Sequence, residues 1–262
     1  MKVLIKIGGT LLDTPESRRA ISCQVVAVVA RGIQTVVVHG GGKQMTRFLK
    51  ERGVESRFIN GLRVTTPDAL DAVLKVFTGS VNHELVASLI SAGAPAVGVS
   101  GIDACLAEAE QMDPQLGAVG RVVRSNPALL DLLASNGYLP VVACVAGDRN
   151  GQIYNVNADQ MAVACAAGFR ASRLIFLTDV PGVLDAGGNL LASLTVSECQ
   201  VLVAAGVATG GMLAKLNAAS DAVRQGVGQV SVASGSSPGV LDRILDGGSA
   251  GTRILAAQES TP

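Results

Sequence analysis

Tryptophan is absent from the chain, and aromatic residues make up only 3% of its 262 positions. Charge of one sign is missing too: 21 basic and 21 acidic side chains cancel. A nucleic-acid-binding surface needs an excess of Lys and Arg and, for single strands, aromatic faces on which bases stack. With neither present, that class is excluded as an expectation. Histidine occurs twice, as His39 and His83, so a histidine-built metal centre or a Ser-His-Asp triad has almost nothing to draw on. The cysteines (Cys23, Cys105, Cys144, Cys165 and Cys199) are odd in number, scattered, and form no CxxC pair. That is the pattern of reduced thiols in a cytoplasm, not of a disulfide framework. No apolar run reaches the roughly 18 residues of a membrane span, and MKVLIKIGG is too short an apolar stretch for a signal peptide. A cytoplasmic protein without membrane contact is expected.

What is plentiful is glycine, 31 residues, in a chain that is 48% hydrophobic and 16% charged. This suits an α/β enzyme with many short loops, built as one large domain or two joined lobes. The glycines gather where strands end. TVVVHGGGKQ, residues 35–44, runs three β-branched valines into three glycines, and the following residues place Met45, Phe48 and Leu49 on one helical side. A strand passing through glycines into a helix N-terminus offers free N–H groups and a helix dipole to an anion. A turn that needs glycine only for its dihedrals explains GGG equally well in isolation. It is not a P-loop, because Gln44 follows Lys43 where that motif needs Ser or Thr. KVLIKI, Lys2–Ile7, makes a second such junction with Gly8-Gly9-Thr10, and places Lys6 at the carboxyl end of a central strand. A lysine in an apolar strand is costly without a partner anion, and carboxyl ends of strands are where open α/β sheets bind ligands.

The remaining elements follow in order. Pro15 opens a helix to about Ala30. Asn60-Gly61 marks a hairpin with Arg63 on its second arm, a position where arginine is ordinarily solvated. Thr66-Pro67-Asp68 caps a long helix that reaches Ser91, with a kink near Gly79. A strand is predicted at Pro95–Ser100, shorter ones near Cys105–Ala109 and Gly120–Val123, a helix from Asn126 to Asn136, and a strand at Leu139–Val145. Asn155, Asn157 and Asp159 cluster at the start of a helix reaching Gly168, and capping accounts for one of the three. A lobe boundary near Gly168–Ser172 is followed by a strand at Arg173–Thr178 and a turn at Asp179–Leu184. Helices follow at Thr195–Ala205 and Gly210–Arg224, a strand at Gln229–Ser234, a short helix at Pro238–Leu245, and a last strand at Gly251–Ala256. The QESTP tail is expected to be disordered, and His39 to be a packed residue.

Taken in this order, KIGGTLLD, VVVHGGGKQ, NGLRVT, NVNADQ, LTDVPGVLD and GGMLAKLNAA resemble the amino-acid kinase family over essentially residues 1–256. Each motif is weak alone; six in sequence are specific. The resemblance implies a three-layer α/β/α sandwich around a mainly parallel open sheet, as one kinase domain over 1–262. Its N-lobe, about 1–170, would hold an acyl amino acid and its C-lobe, about 171–256, ATP. The implied reaction is ATP-dependent phosphorylation of the γ-carboxylate of N-acetyl-L-glutamate, a step of arginine biosynthesis. Acceptors of the N-succinylglutamate or aminoadipate type, or a non-catalytic nucleotide or amino-acid sensor, are the alternatives. Loss of Lys6, Lys215 or Asp159 would mark the sensor, and all three are present.

Carried over by motif, Lys6 and Lys215 are the lysines that stabilise the transferring phosphoryl group, and Asp159 the carboxylate that positions both. Gly9, Gly41 and Gly42 would offer N–H groups to phosphoryl group and substrate, Arg63 would bind the substrate carboxylate, and Asn155 would assist it. Asp179, Val180, Pro181, Gly182, Val183 and Leu184, with Val207, Ala208 and Thr209, would wall the nucleotide site. Mg²⁺ is expected on ATP phosphates and waters, with no dedicated protein metal site. Two features depart from the family pattern. Ile102 stands where a lysine often follows SerGly, and SVASGSSPG lacks the histidine of arginine-inhibited members, which also carry a helix before the first strand. The resemblance therefore implies an arginine-insensitive homodimer joined through the N-lobe, with the Pro67–Ser91 helix at the interface.

Overall fold

Val3, Leu4, Ile5 and Ile7 are fully buried, as are Val36, Val37 and Val38. Side chains buried on both faces of a strand are what a parallel sheet covered by helices requires. In the computed structural model, which describes residues 1–256, these two runs lie side by side at the centre of an eight-stranded sheet. From one edge the strands are Ser193–Thr195, Thr252–Leu255, Gln229–Ser234, Arg173–Thr178, Lys2–Ile7, Gln34–His39, Leu139–Ala143 and Ala96–Ser100. Every neighbouring pair is parallel except Gln229–Ser234 with Thr252–Leu255. The helices Pro15–Ala30, Asn82–Ser91 and Val240–Leu245 pack together in one layer, and Ala158–Phe169 with Gly210–Arg224 in another. This is the α/β/α sandwich that the family resemblance implies.

Local chemistry sets most element ends. Thr14 caps Pro15–Ala30 reciprocally with Ser17, and Thr195 and Glu198 form a capping box on Val196–Ala204. Phe58–Ile59 and Leu62–Arg63 form the expected hairpin. Both residues of its turn have positive φ, 50° at Asn60 and 78° at Gly61, which is the twist that a two-residue hairpin needs. The long helix through Ser91 is continuous. Where a kink was expected it widens into a π-helical stretch, Leu74–Val81, between Pro67–Val73 and Asn82–Ser91.

The main surprise is a small closed barrel of Ala107–Gln111, Val119–Ser125, Val145–Gly147 and Ile153–Val156. The predicted strand 139–145 splits at Cys144, so that its first half joins the large sheet and its continuation the barrel. Ile153–Val156, polar by sequence, is a strand because it is paired on both sides. Three of the five free cysteines, Cys144, Cys165 and Cys199, are buried. No helix among the described residues is long and apolar enough to cross a membrane. The expectation of a disordered QESTP tail lies outside the described residues.

Candidate active site

At the carboxyl end of the Lys2–Ile7 strand, Lys6 is 7% exposed and its Nζ lies 2.7 Å from Asp159 Oδ1. Lys215, on the Gly210–Arg224 helix, donates to Asp159 Oδ2 at 3.3 Å. One carboxylate thus holds a cation from each half of the chain. The Lys6 contact is an ion pair rather than a well-directed hydrogen bond, and it leaves Oδ1 without one. Burial alone would raise the Asp159 pKa; the charges of Lys6 and Lys215, with the Lys215 hydrogen bond, outweigh it and hold the carboxyl below its ordinary value. Asp159 is free to do this because Asn157 is the N-cap of its helix, accepting from the N–H groups of Asp159 and Gln160. Of the NVNAD cluster, then, Asn157 caps, Asp159 pairs the lysines, and Asn155 donates to Thr65 Oγ1 at 3.0 Å.

Two cavities meet beside this triad. The first, of about 380 Å³, is a cleft whose walls include Lys6, Gly9, Gly42, Arg63, Asp179 and Lys215. The second, of about 180 Å³, lies behind the Gly40–Gly42 turn, between Arg63, Asn155, Phe77, Val119 and Cys144. Gly42, Phe58 and Arg63 line both. Glycine at 41 is a steric requirement, because a Cβ there would stand 2.8 Å from the Phe77 ring. The turn is fixed from behind by His39, whose Nδ1 donates to the Gly40 carbonyl at 2.8 Å, while Nε2 accepts from Asn82 Nδ2 at 2.9 Å. A carbonyl can only accept, which sets the tautomer. Burial, aided by the nearby Lys6 charge, pushes the His39 pKa down to about 4. The packed role expected for His39 is what the structure places.

Arg63 departs from the ordinary solvated hairpin arginine: it is 8% exposed. Its guanidinium stacks 4.6 Å from the Phe58 ring centroid, and donates to Thr46 Oγ1 at 2.7 Å, to the Gly42 carbonyl at 3.2 Å, and to Ser56 Oγ. Burial lowers its pKa from the usual guanidinium value. Among the described residues no carboxylate pairs with it, so a partly buried cation faces two cavities with its counter-charge unsupplied.

The residues expected to wall a nucleotide are less concentrated. Asp179 reaches the cleft and accepts from Thr178 Oγ1 at 3.0 Å. Val180 through Leu184 and Val207 through Thr209 line neither cavity. Val180, Pro181, Leu184 and Thr209 are exposed on that side of the sheet, whereas Val183 and Ala208 turn into the core and Gly182 packs against Thr252. Ile102 lines neither cavity and stands against Gly147 of the small barrel. Sequence reasoning missed Thr46, Ser56 and Phe58, which hold Arg63 and carry no motif of their own. It also missed Gln44, which donates to the Gly9 carbonyl at 3.1 Å and to Asp13 at 3.3 Å and so ties the two glycine turns together. Its place in GGGKQ was the available signal. Among the described residues no group of three or more His, Cys, Asp or Glu side chains is placed to hold a metal ion.

A cationic cleft between two strand-to-glycine turns suits transfer of a phosphoryl group to an anionic acceptor, and the similarities of the chain agree. It is 65% identical over 257 residues to an acetylglutamate kinase of Solibacter usitatus, covering 98% of this chain and all of that protein. An acetylglutamate kinase of Acidobacterium capsulatum is 43% identical, again over 98% of this chain and all of the relative. Among solved structures, smu.665 of Streptococcus mutans UA159 superimposes with a TM-score of 0.85 at 30% identity, covering 97% of this chain and 98% of that one. The profile of the amino acid kinase family matches residues 1–234. With the fold, the paired lysines and this match extending through both halves of the sheet, the chain belongs to the amino acid kinase family.

Proposed function

We propose that the protein catalyses ATP-dependent phosphorylation of the γ-carboxylate of N-acetyl-L-glutamate, the carboxyl phosphorylation of arginine biosynthesis. The observation that carries this reading is the Lys6–Asp159–Lys215 triad beside a cleft that shares Arg63 with a smaller pocket. A glutamate side-chain carboxyl has a pKa of about 4.3, so at neutral pH the nucleophile is already an anion and needs no general base. The difficulty is charge: an anion must approach the phosphate of ATP. Lys6 and Lys215, spaced by Asp159, meet the charge that spreads over the phosphoryl oxygens as the bond to ADP loosens. Gly9 and Gly42 line the same cleft, and their N–H groups are the backbone donors for holding donor and acceptor oxygens in line.

Arg63 grips the carboxylate that does not react. Asn155 and the Gly41 turn hold the amide of the acyl amino acid, and its acyl end enters the apolar part of the pocket at Phe77, Val119 and Cys144. A pocket of about 180 Å³ with that lining favours acetyl over succinyl, which would carry a second carboxylate into it. Mg²⁺ is read as arriving on the ATP phosphates, as part of the substrate. Asp179, with the exposed residues of 180–184 and 207–209, forms the nucleotide side of the C-lobe, and the N-lobe holds the acceptor. Two copies pair through the 67–91 helix, whose Ile90 is 55% exposed, and the enzyme works in the cytoplasm. The test is direct. Purified protein with MgATP and N-acetylglutamate should release ADP and form an acyl phosphate, trapped by hydroxylamine as a hydroxamate. Folded protein that yields none with any N-acylglutamate refutes the assignment.

A further inference from the structure

The Gly42–Lys50 helix has three basic residues. Arg47 and Lys50 lie in its last turn, where the negative end of the helix dipole favours cations. Lys43 lies in the first turn, where it opposes the dipole, and no acidic residue accompanies it there. Its surroundings sharpen the anomaly. Lys43 shares the phosphoryl cleft with Lys6, Arg63 and Lys215, while Asp179 is the acidic side chain that lines it and Asp159 is taken up by Lys6 and Lys215. Lys43 is exposed and makes no ion pair among the described residues. Four cations therefore line a cleft whose wall carries one carboxylate, Asp179, and one of the four sits against both its neighbours and its own helix. No acidic side chain among the described residues offsets that cost.

Which anion offsets it follows from the division between the cavities. Gly42 and Arg63 line both, but Lys43 lines only the cleft that contains Lys6, Asp179 and Lys215, not the acyl pocket behind the glycine turn. We propose that Lys43 is a further substrate-binding residue of the phosphoryl-transfer reaction, contacting the polyphosphate of the nucleotide from the N-lobe side, opposite Lys215. The proposal rests on the kinase reading above. It gives the N-lobe its own hold on the nucleotide, so that ATP bridges the two halves of the cleft. Because Lys43 is solvated, its contact is weaker than that of a buried donor, and its removal should cost about tenfold in nucleotide affinity.

The experiment measures MgADP binding by calorimetry, without acceptor, to the wild-type protein and to Lys43→Gln, Lys43→Glu and Lys43→Arg, with steady-state kinetics on the same samples. Lys43→Gln should weaken MgADP about tenfold, Lys43→Glu about a hundredfold, and Lys43→Arg less than threefold. The KM for N-acetylglutamate should stay within twofold, and the salt dependence of MgADP binding should be shallower in Lys43→Gln. Unchanged MgADP affinity in both Lys43→Gln and Lys43→Glu overturns the proposal. So does a change confined to the acceptor KM. Failure of the kinase reading shows differently, as wild-type protein that forms no acyl phosphate whatever its nucleotide affinity.

Discussion

His39 offers a prediction whose sign and size follow from its surroundings. It is fully buried at the end of the Gln34–His39 strand, neutral, donating to the Gly40 carbonyl and accepting from Asn82. Protonation would turn Nε2 into a donor facing the Asn82 amide nitrogen, which itself is held by the Val141 carbonyl at 3.0 Å. Burial and the Lys6 charge oppose it further, and the pKa falls from 6.5 to about 4. In the unfolded chain the imidazole takes its proton near pH 6.5; in the folded chain it does so only near pH 4. Between these values the unfolded state binds more protons, so stability falls as pH falls through that window and levels off below it. The loss is roughly 2 kcal/mol at pH 5 and approaches about 3 kcal/mol near pH 4. For a chain of this size that is a drop in Tm of roughly 4–8 °C between pH 7.5 and pH 5. Asp159 and the N-capping Glu198 have lowered pKa values, so their contributions are lost only below about pH 4.5 and do not overlap the upper part of the window. The control is His39→Asn, which keeps a donor for the Gly40 carbonyl and removes the titration. Melting curves of both proteins from pH 7.5 to 5 should converge as pH falls, the variant starting lower and changing less. Parallel curves would show that His39 does not carry this pH dependence.

Three further substitutions separate binding from chemistry. Arg63→Lys loses a planar, two-pronged contact that lysine cannot copy, so steady-state kinetics should show a raised KM for N-acetylglutamate with kcat nearly unchanged; a fall in kcat alone contradicts the role. Lys215→Ala should lower kcat by about 10²–10³ with little effect on the acceptor KM, and a change confined to KM would mean that the lysine does not meet the transferring group. Asp159→Asn should lower kcat comparably, and also lower Tm, because Lys6 loses the counter-charge 2.7 Å away. Wild-type Tm and kcat together would refute the anchor role.

What the sequence made legible and what it hid divide along the range of the forces involved. The strands Lys2–Ile7 and Gln34–His39, their glycine turns and the capped helices were readable because burial on both faces and capping chemistry act over a few residues. The barrel was not, because Ile153–Val156 is ordered by partners more than thirty residues away at Val119 and by a strand that splits at Cys144. The same distinction runs through the site. Lys6 was suspicious by itself, as a cation in an apolar strand. Arg63 read as an ordinary solvated hairpin residue until its motif was considered, since Ser56 and Thr46, which hold it, carry no local mark, and nothing local ties it to the Gly42 carbonyl of the glycine turn. Asp159 was ambiguous with a cap, and only the placing of Asn157 as the cap two residues earlier freed its carboxylate for two lysines 209 residues apart in the chain. Each of these side chains is costly where it stands unless something distant completes it. The lysines have Asp159 for this, whereas Arg63 and Lys43 have no counter-charge among the described residues. The cleft is therefore shaped by an anion that the chain does not itself provide. Positive charge held in place before the substrate arrives needs no reorganisation during the reaction, which is how a site almost without histidine can stabilise the transfer of phosphate between two anions.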